Sequence, residues 1–376
     1  MPVRIMTVLG TRPEAIKLAP VVKAFLGDAE IEHTLCATGQ HRQMLDQVLE
    51  VFRLTPDYDI NLMKPGQDLT HVTATALAGV GQVIDTVKPD WVVVQGDTTT
   101  AFAAALAAFY RKVKVAHVEA GLRSGNLYSP WPEEANRKLV SAIATMHFPP
   151  TEESRQNLLR ENVADDAIVV TGNTVIDALL WMNATLSSEP ALRQQAEAKF
   201  SFLDPTKKLI LVTGHRRENF DGGLEHVCTA LAQLAARPDI EIVYPVHLNP
   251  KVQETAKRIL SGRPNVHLIE PLEYAPFVAL MRRSTIIVTD SGGIQEEAPS
   301  LDIPVLVTRD TTERPEAVAS GAARLVGTSA DAIISCVAEL LDNRSVYEAM
   351  AKAPNPFGDG SASKLIGSAL KAWRGR

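Results

Sequence analysis

Runs of apolar residues recur along this chain, and several of them end in a glycine or threonine beside a charged or hydroxyl residue. Each run resembles a buried strand, and helix-like stretches separate the runs. Strands that alternate with helices form parallel sheets, whose ligands bind outside the carboxyl ends of the strands. The predicted strands are residues 3–9, 33–37, 91–95, 114–118 and 167–171, followed by 209–212, 241–246, 266–270, 286–289 and 304–308.

The two series of strands predict two α/β domains. The chain has 376 residues, more than one hydrophobic core usually fills. We expect two Rossmann-like domains that face each other across a cleft. The first comprises residues 1–171 plus 361–376, and its last helix, 362–373, packs back on it. The second comprises residues 172–360.

Composition argues against several classes of protein. A net charge of -6 would not attract nucleic acid or an anionic membrane. The three cysteines are far apart and lack CxxC spacing, so neither a disulfide framework nor a metal site is expected. No apolar run approaches a membrane span, and no signal-like segment begins the chain. We therefore expect a cytoplasmic protein.

Residues 289–297 follow an apolar run and open a helix-like segment. Gly292 and Gly293 would let backbone N–H groups approach a phosphate, and Glu297 lies one helical turn beyond Gly293. This predicts a nucleotide-like ligand, although the same pattern also suits an ordinary strand-to-helix turn. The first predicted strand leads into no GxGxxG motif, which argues against a dinucleotide site.

Three carboxylates are candidates for acid/base catalysis. Asp97 and Glu119 each follow a strand in consecutive βα units, so their side chains could share a pocket. Glu133 follows a stiff proline-containing loop at the start of a predicted helix. Each of them could also be an acid that stabilises the start of a helix, although Asp97 and Glu119 taken together at the ends of strands favour catalysis.

Four basic or hydrogen-bonding side chains lie near the predicted turns. Such groups would stabilise the negative charge that develops on a diphosphate leaving group. Arg12 and His215 come shortly after predicted strands, whereas solvated surface positions are the simpler interpretation of Lys17 and Arg314.

Seven motifs stand in order along the chain: Gly10-Thr11-Arg12-Pro13-Glu14-Ala15, Gly39-Gln40-His41, Gln95-Gly96-Asp97-Thr98-Thr99-Thr100, His117-Val118-Glu119-Ala120-Gly121-Leu122-Arg123, Pro132-Glu133-Glu134-Ala135-Asn136-Arg137, Gly214-His215-Arg216-Arg217-Glu218-Asn219 and Asp290-Ser291-Gly292-Gly293-Ile294-Gln295-Glu296-Glu297. Together they strongly resemble the motifs of the bacterial non-hydrolysing UDP-N-acetylglucosamine 2-epimerases. Residues 311–316 continue the match, so the resemblance covers essentially the whole chain.

The resemblance implies a glycosyltransferase-B-like architecture and a homodimer. It also implies reversible conversion of UDP-N-acetylglucosamine to UDP-N-acetylmannosamine through elimination and re-addition of UDP, with a glycal intermediate. The product would supply cell-surface polysaccharide synthesis. The family requires no metal or nicotinamide cofactor.

The resemblance also implies roles for individual residues. Asp97, Glu119 and Glu133 would be the acid/base carboxylates, and His215 would act with them in the catalytic set. Two further groups of residues would bind the substrate. Arg12, Lys17, His215 and Arg314 would hold the sugar and diphosphate, whereas Leu272, Phe277, Ser291, Gly292, Gly293 and Glu297 would hold UDP.

Three alternatives remain open at this point. A retaining glycosyltransferase of the same fold would use a similar diphosphate pocket but needs fewer proton-handling groups. A hydrolysing epimerase would release UDP and free N-acetylmannosamine. A nucleotide-sugar sensor would keep the phosphate-binding glycines but would need none of the three carboxylates.

Overall fold

The computed structural model describes residues 1–40, 42–64, 66–214, 216 and 222–373. The chain divides into two compact units, Met1–Ala178 with Phe357–Arg376 and Leu179–Pro356. The divisions predicted after residues 171 and 360 differ from these by a few residues.

The first unit contains a parallel sheet with helices between its strands. Within the described residues the sheet has six strands in the order β3-β2-β1-β4-β5-β6. The strands are β1 Val3–Leu9, β2 Ile31–Ala37, β3 Tyr58–Asp59, β4 Trp91–Gln95, β5 Lys114–Val118 and β6 Met146–Phe148. The helices are α1 Arg12–Leu26, α2 Arg42–Val51, α3 Leu69–Val87, α4 Thr99–Tyr110, α5 Glu133–Ile143, α6 Glu152–Arg160 and α7 Thr174–Ser188, which ends in the second unit.

The second unit repeats this plan. Its described part holds six parallel strands in the order β12-β11-β10-β7-β8-β9. The strands are β7 Lys208–Thr213, β8 Ile240–Pro245, β9 Val266–Ile269, β10 Ile286–Thr289, β11 Val305–Val307 and β12 Ala323–Leu325. The helices are α8 Pro190–Glu197, α9 Gly223–Leu234, α10 Pro250–Leu260, α11 Tyr274–Arg283, α12 Gly292–Glu297, α13 Pro315–Ala319, α14 Ala330–Asp342 and α15 Arg344–Ala351.

Both sheets have the same strand order when each is counted from its own first strand. That order, 3-2-1-4-5-6, is the Rossmann order, and it results from two βαβαβ halves that extend in opposite directions. The prediction of two Rossmann-like α/β units is therefore confirmed.

One predicted strand is wrong. Residues 167–171 do not form a strand, because a 3₁₀ turn occupies Asp165–Ala167 and Ile168 makes only an isolated bridge to His147. The edge strand is β6 instead. The sequence pattern predicts none of β3, β6 and β12, since strands of two or three residues are too short to show a periodic pattern.

Helix α4 is buried, as its alanine-rich sequence predicts. Most of its alanines are fully inaccessible, and the helix packs on α3, α5 and strand β4. Small side chains let helix and sheet approach closely without leaving a cavity. No helix in the described part of the chain combines the length and apolar character needed to span a membrane.

The last helix, α16 Ala362–Ala372, packs on α1 in the first unit. Lys371 Nζ forms ion pairs with Asp28, at 2.6 Å, and with Glu30, at 2.8 Å. The ring of Trp373 meets Trp91 edge to face, with centroids 5.8 Å apart.

Two glycines after β5 allow a controlled test of backbone packing. Gly121 and Gly125 both have positive φ, at 87° and 77°, so alanine at either costs about 1–2 kcal/mol in backbone strain. A Cβ at Gly121 would also lie 2.2 Å from the carbonyl oxygen of Ser154, whereas nothing lies within 4 Å at Gly125. We expect Gly121→Ala to destabilise the protein by about 1–3 kcal/mol more than Gly125→Ala in chemical denaturation. Equal destabilisation would contradict this packing.

Candidate active site

The candidate catalytic residues of the first unit lie beyond the carboxyl ends of adjacent strands. Strands β1, β4 and β5 lead into Arg12, Asp97 and Glu119, respectively, and β1 and β4 flank the point where the strand order reverses. Crevices at such points bind ligands in doubly wound sheets. Gln95 pairs with Val118, so the turns that carry Asp97 and Glu119 begin beside each other.

A buried carboxylate joins two of these turns. Glu14 is fully inaccessible and accepts hydrogen bonds from Gly10 N, at 2.9 Å, from Thr11 N, at 2.7 Å, and from the Thr98 hydroxyl. Burial raises the pKa of Glu14, and these hydrogen bonds oppose the rise. Because Thr98 follows Asp97 directly, Glu14 connects the start of α1 to the turn that carries Asp97.

Lys17 and Glu119 form a partly buried ion pair. The Lys17 ammonium contacts Glu119 Oε2, to which Gln95 Nε2 also donates a hydrogen bond at 3.0 Å. Glu119 has a φ of 60°, a conformation that costs a non-glycine residue about 1–2 kcal/mol. Backbone strain of this kind clusters at functional sites, and it favours the hypothesis that Glu119 binds a ligand.

Asp97 is paired with Arg137 of helix α5. Arg137 Nε and Nη2 both contact Asp97 Oδ2, at 2.9 and 2.6 Å, and Asn136 Nδ2 donates to the Asp97 carbonyl oxygen at 2.8 Å. Arg137 Nη1 also contacts the buried carboxylate of Glu134 at 3.2 Å. Asp97 is thus held through both its backbone and its side chain.

Glu133 is the first residue of α5. Its Oε2 atom is buried and has no hydrogen-bond partner among the described residues. An unpaired buried oxygen is costly unless a ligand or a proton satisfies it. Glu133 therefore differs from Asp97 and Glu119, which both contact a cation.

His117, within β5, contacts the turn that follows β4. Its Nε2 atom lies 2.8 Å from the carbonyl oxygen of Gly96. Burial lowers the pKa of His117 to about 4, and nearby Arg123 and Arg137 favour the neutral ring, while the Gly96 contact and Glu119 act in the opposite direction. A neutral imidazole that donates from Nε2 would fix the Gly96 carbonyl next to Asp97.

The second unit places Ser291 and α12 after β10. The Thr289 hydroxyl receives a hydrogen bond from Ser291 N at 2.9 Å and contacts the Thr213 hydroxyl of β7 at 2.6 Å. Asp290 is buried and accepts a hydrogen bond from Arg216 N at 2.8 Å. These contacts hold the ends of β7 and β10 together at the point where this strand order reverses.

Two guanidinium groups lie close to Gly292. A Cβ built on Gly292 would be 3.8 Å from Arg314 Cζ and 3.9 Å from Arg216 Nη2. Arg314 pairs with the buried carboxylate of Glu296, and Arg216 pairs with Glu313 at 3.0 Å. Two fixed guanidinium groups beside a glycine backbone make a site suited to a phosphate group.

Glu313 remains ionised over the ordinary pH range. Partial burial raises its pKa, but hydrogen bonds from Arg309 and the charge of Arg216 outweigh this effect and lower the pKa to about 2. Glu313 therefore orients Arg216 as a permanent anion.

The remaining candidates lie near α11 and α12. Glu297 Oε1 would be 3.4 Å from a Cβ on Gly293, which confirms that the two residues share a helix face. The charge of Glu297 also raises the pKa of Tyr274, after the larger effect of burial. Leu272 precedes α11, and Phe277 lies within it, half-buried.

His215 lies outside the described residues. Among the residues that are described, no cluster of three or more histidine, cysteine, aspartate or glutamate side chains could hold a metal ion.

Several important residues received no role from the sequence. The Thr11-x-x-Glu14 spacing is a capping-box signal that could have identified Glu14, and the structure contains that box. The i, i+3 spacing of Glu134 and Arg137 also indicates an ion pair. Only tertiary structure reveals that Arg216 lies beside Gly292, because 76 positions separate the two residues in the chain.

Comparison with known proteins identifies the relatives of this chain. Residues 23–371 match the family model for UDP-N-acetylglucosamine 2-epimerase. The chain is 58% identical over 369 residues to the UDP-N-acetylglucosamine 2-epimerase of Escherichia coli K12, covering 98% of each chain. The crystal structure of the Neisseria meningitidis UDP-GlcNAc 2-epimerase, solved with UDP-GlcNAc bound, matches with a TM-score of 0.89 and 51% identity. The match covers 98% of this chain and 99% of that one.

A more distant match bears on the fold alone. MurG of Acinetobacter baumannii is 15% identical and matches with a TM-score of 0.62, over 99% of this chain and all of its own. Together with the two Rossmann-ordered sheets, this match confirms the predicted glycosyltransferase-B-like fold.

Buried histidines of the first unit should make stability depend on pH. Burial lowers the pKa of His117 to about 4 and that of His147 to about 3. Below pH 6.5 the unfolded chain therefore binds more protons than the folded one, so the free energy of unfolding falls as the pH falls. Between pH 7 and 5 we expect His117 to account for a loss of about 2 kcal/mol.

Comparison of the wild-type protein with His117→Gln isolates the effect of His117 on stability. Glu14 has a raised pKa and changes the free energy of unfolding with the opposite sign, but it is present in both proteins. Denaturation curves at pH 7 and pH 5 should show a smaller loss in the variant. An equal loss in both proteins would show that His117 does not titrate in this way.

Proposed function

This chain belongs to the UDP-N-acetylglucosamine 2-epimerase family, and on that basis we propose that it interconverts UDP-N-acetylglucosamine and UDP-N-acetylmannosamine. The main support is the end-to-end match to the Escherichia coli epimerase. The position of Asp97, Glu119 and Glu133 in one unit, after adjacent strands and at the start of α5, agrees with proton-transfer chemistry.

The reaction proceeds in two stages. A base removes the proton at carbon 2, the resulting electron pair forms a carbon 1–carbon 2 double bond, and the bond from carbon 1 to the diphosphate oxygen breaks. UDP then adds back to carbon 1 of this glycal while carbon 2 takes a proton on its opposite face. Inversion therefore needs proton-handling groups on two faces of the sugar.

The first unit offers suitable groups for this task. Asp97 and Glu119 are carboxylates at the ends of adjacent strands, and each is held by a contact with a cation. Glu133 has an unpaired buried oxygen that a bound sugar could satisfy. Arg12 and Lys17, both on α1, would help to hold the substrate.

The second unit would bind UDP. The Ser291–Gly293 backbone and the guanidinium groups of Arg216 and Arg314 suit a diphosphate, which carries charge during elimination. Glu297 would accept hydrogen bonds from the ribose hydroxyls. Leu272 and Phe277 would lie beside the uracil, as the sequence resemblance implies, and His215 would complete the catalytic set.

We propose a cytoplasmic homodimer whose product supplies cell-surface polysaccharide synthesis. Size-exclusion chromatography with light scattering tests the dimer, and a monomer at micromolar concentration would contradict it.

Proton NMR in heavy water, with purified protein and UDP-N-acetylglucosamine, tests the activity. We expect growth of UDP-N-acetylmannosamine that carries deuterium at carbon 2, with no added metal or nicotinamide. Release of UDP and free sugar would instead indicate a hydrolysing epimerase. Binding without conversion or exchange would indicate a glycosyltransferase or a nucleotide-sugar sensor.

Asp97→Asn should retain UDP binding but lose roughly 100- to 10,000-fold in turnover, because acid/base groups contribute factors of this size. The matched control is Asp90→Asn. Asp90 precedes the same strand, at its opposite end, and pairs with Arg4. Its variant should turn over normally, and near-normal turnover of Asp97→Asn would remove Asp97 from the mechanism.

Arg216→Ala should weaken UDP binding by roughly 10- to 100-fold, since a charge-assisted hydrogen bond contributes about 1.5–3 kcal/mol. Isothermal titration calorimetry measures this change. Arg237→Ala is the control, because Arg237 also forms ion pairs, with Asp239 and Asp342, but lies on the loop before β8. Equal affinities in the two variants would exclude Arg216 from the diphosphate site.

A further inference from the structure

Helix α5 carries one of the three candidate carboxylates and contacts a second one. It carries Glu133 at its first residue, and one turn later Asn136 and Arg137 reach back to Asp97. A single rigid element therefore relates the positions of Glu133 and Asp97, although 36 positions separate the two residues in the chain.

The contacts to Asp97 fix its orientation as well as its position. Asn136 holds the Asp97 carbonyl at 2.8 Å, which restrains the backbone. Arg137 Nε and Nη2 both contact Oδ2, at 2.9 and 2.6 Å, respectively. With Oδ2 engaged twice, the carboxylate cannot rotate freely, and Oδ1 is the oxygen left to face a ligand.

Arg137 is itself held in place. Glu134 is fully buried, and its carboxylate accepts a hydrogen bond from Arg137 Nη1 at 3.2 Å. It also accepts hydrogen bonds from the backbone N–H groups of Ser124, at 3.0 Å, and Gly125, at 3.2 Å. A buried carboxylate with these partners is costly to disturb. The Arg137 guanidinium group therefore contacts two carboxylates, those of Glu134 and Asp97.

Inversion at carbon 2 makes the relative position of two proton-handling groups important. A proton must leave one face of the sugar and another must arrive on the opposite face, and a misplacement of about 1 Å can cost roughly 100-fold in rate. We propose that Arg137, anchored by Glu134, is a positioning residue that fixes Asp97 relative to Glu133 and presents Asp97 Oδ1 to the sugar. This inference rests on the proposed epimerase activity.

Three variants test the proposal. Arg137→Gln removes the charge and the fork, and Arg137→Lys restores the charge alone. Arg123→Gln is the matched control, because Arg123 is similarly buried, pairs with Glu161 at 2.6 Å and contacts Ser141 of α5 at 3.0 Å, whereas none of its hydrogen bonds or ion pairs to the described residues involves Asp97.

The measurement compares two initial rates in heavy water for the purified full chain. One is inversion to UDP-N-acetylmannosamine, and the other is deuterium exchange into recovered UDP-N-acetylglucosamine. If one of the two proton-handling carboxylates is misplaced, proton transfer on one face of the sugar is impaired more than on the other. The ratio of the two rates therefore reports on the relative position of the two carboxylates. Loss of stability alone lowers both rates together.

For Arg137→Gln we expect kcat for inversion to fall roughly 100-fold and KM to change by less than about threefold, because positioning acts on the transition state. The exchange-to-inversion ratio should change by about tenfold or more. Arg137→Lys should recover part of the loss, and Arg123→Gln should keep the wild-type ratio even if its melting temperature falls.

An unchanged ratio in Arg137→Gln would overturn the positioning role, whatever happens to kcat. The same conclusion would follow if Arg123→Gln changed the ratio equally. If the wild-type protein produced no epimer at all, the proposed function would fail, and this inference with it. Conversion by the wild-type protein thus separates the two failures.

Discussion

The buried carboxylate of Glu14 holds the first-unit site together. It receives two backbone N–H groups at the start of α1 and the hydroxyl of Thr98, which stands beside Asp97. A carboxylate with no exposure to water is tolerated only when hydrogen bonds replace its hydration, so these donors are tightly constrained. The positions of Arg12 and Lys17, which α1 carries, and of Asp97 therefore depend on one another.

Opposite charges determine how the candidate catalytic carboxylates are presented. Asp97 meets Arg137 and Glu119 meets Lys17. In each pair the carboxylate lies on the turn after a strand, whereas the cation comes from a helix elsewhere in the chain. Partly buried pairs of this kind contribute little net stability, because desolvation offsets the attraction. Their effect is to restrict orientation, which matters when a proton must be transferred to a defined face of a sugar.

The two units show that one topology supports different chemistry. Both have the 3-2-1-4-5-6 strand order, and both place polar residues where that order reverses. The first unit presents carboxylates there, whereas the second presents glycines and guanidinium groups, which suit a phosphate. The fold determines where a site can form, and the loop residues determine what it does.

The sequence by itself determined the fold class, two α/β units of alternating strands and helices, because hydrophobic periodicity is a local property. It also made Asp97, Glu119, Glu133 and the Ser291–Gly293 turn candidates for the site, since parallel sheets bring their carboxyl-terminal turns to one edge. The sequence pattern does not reveal short edge strands such as β6, because three residues are too few to show a hydrophobic period.

Only the tertiary structure decided which groups meet. Lys17 contacts Glu119, which lies 102 positions away in the chain. Arg137 contacts Asp97, 40 positions away, and Arg216 lies beside Gly292, 76 positions away. Such pairings arise when distant segments are packed together, and spacing along the sequence predicts contacts only within a helix or turn.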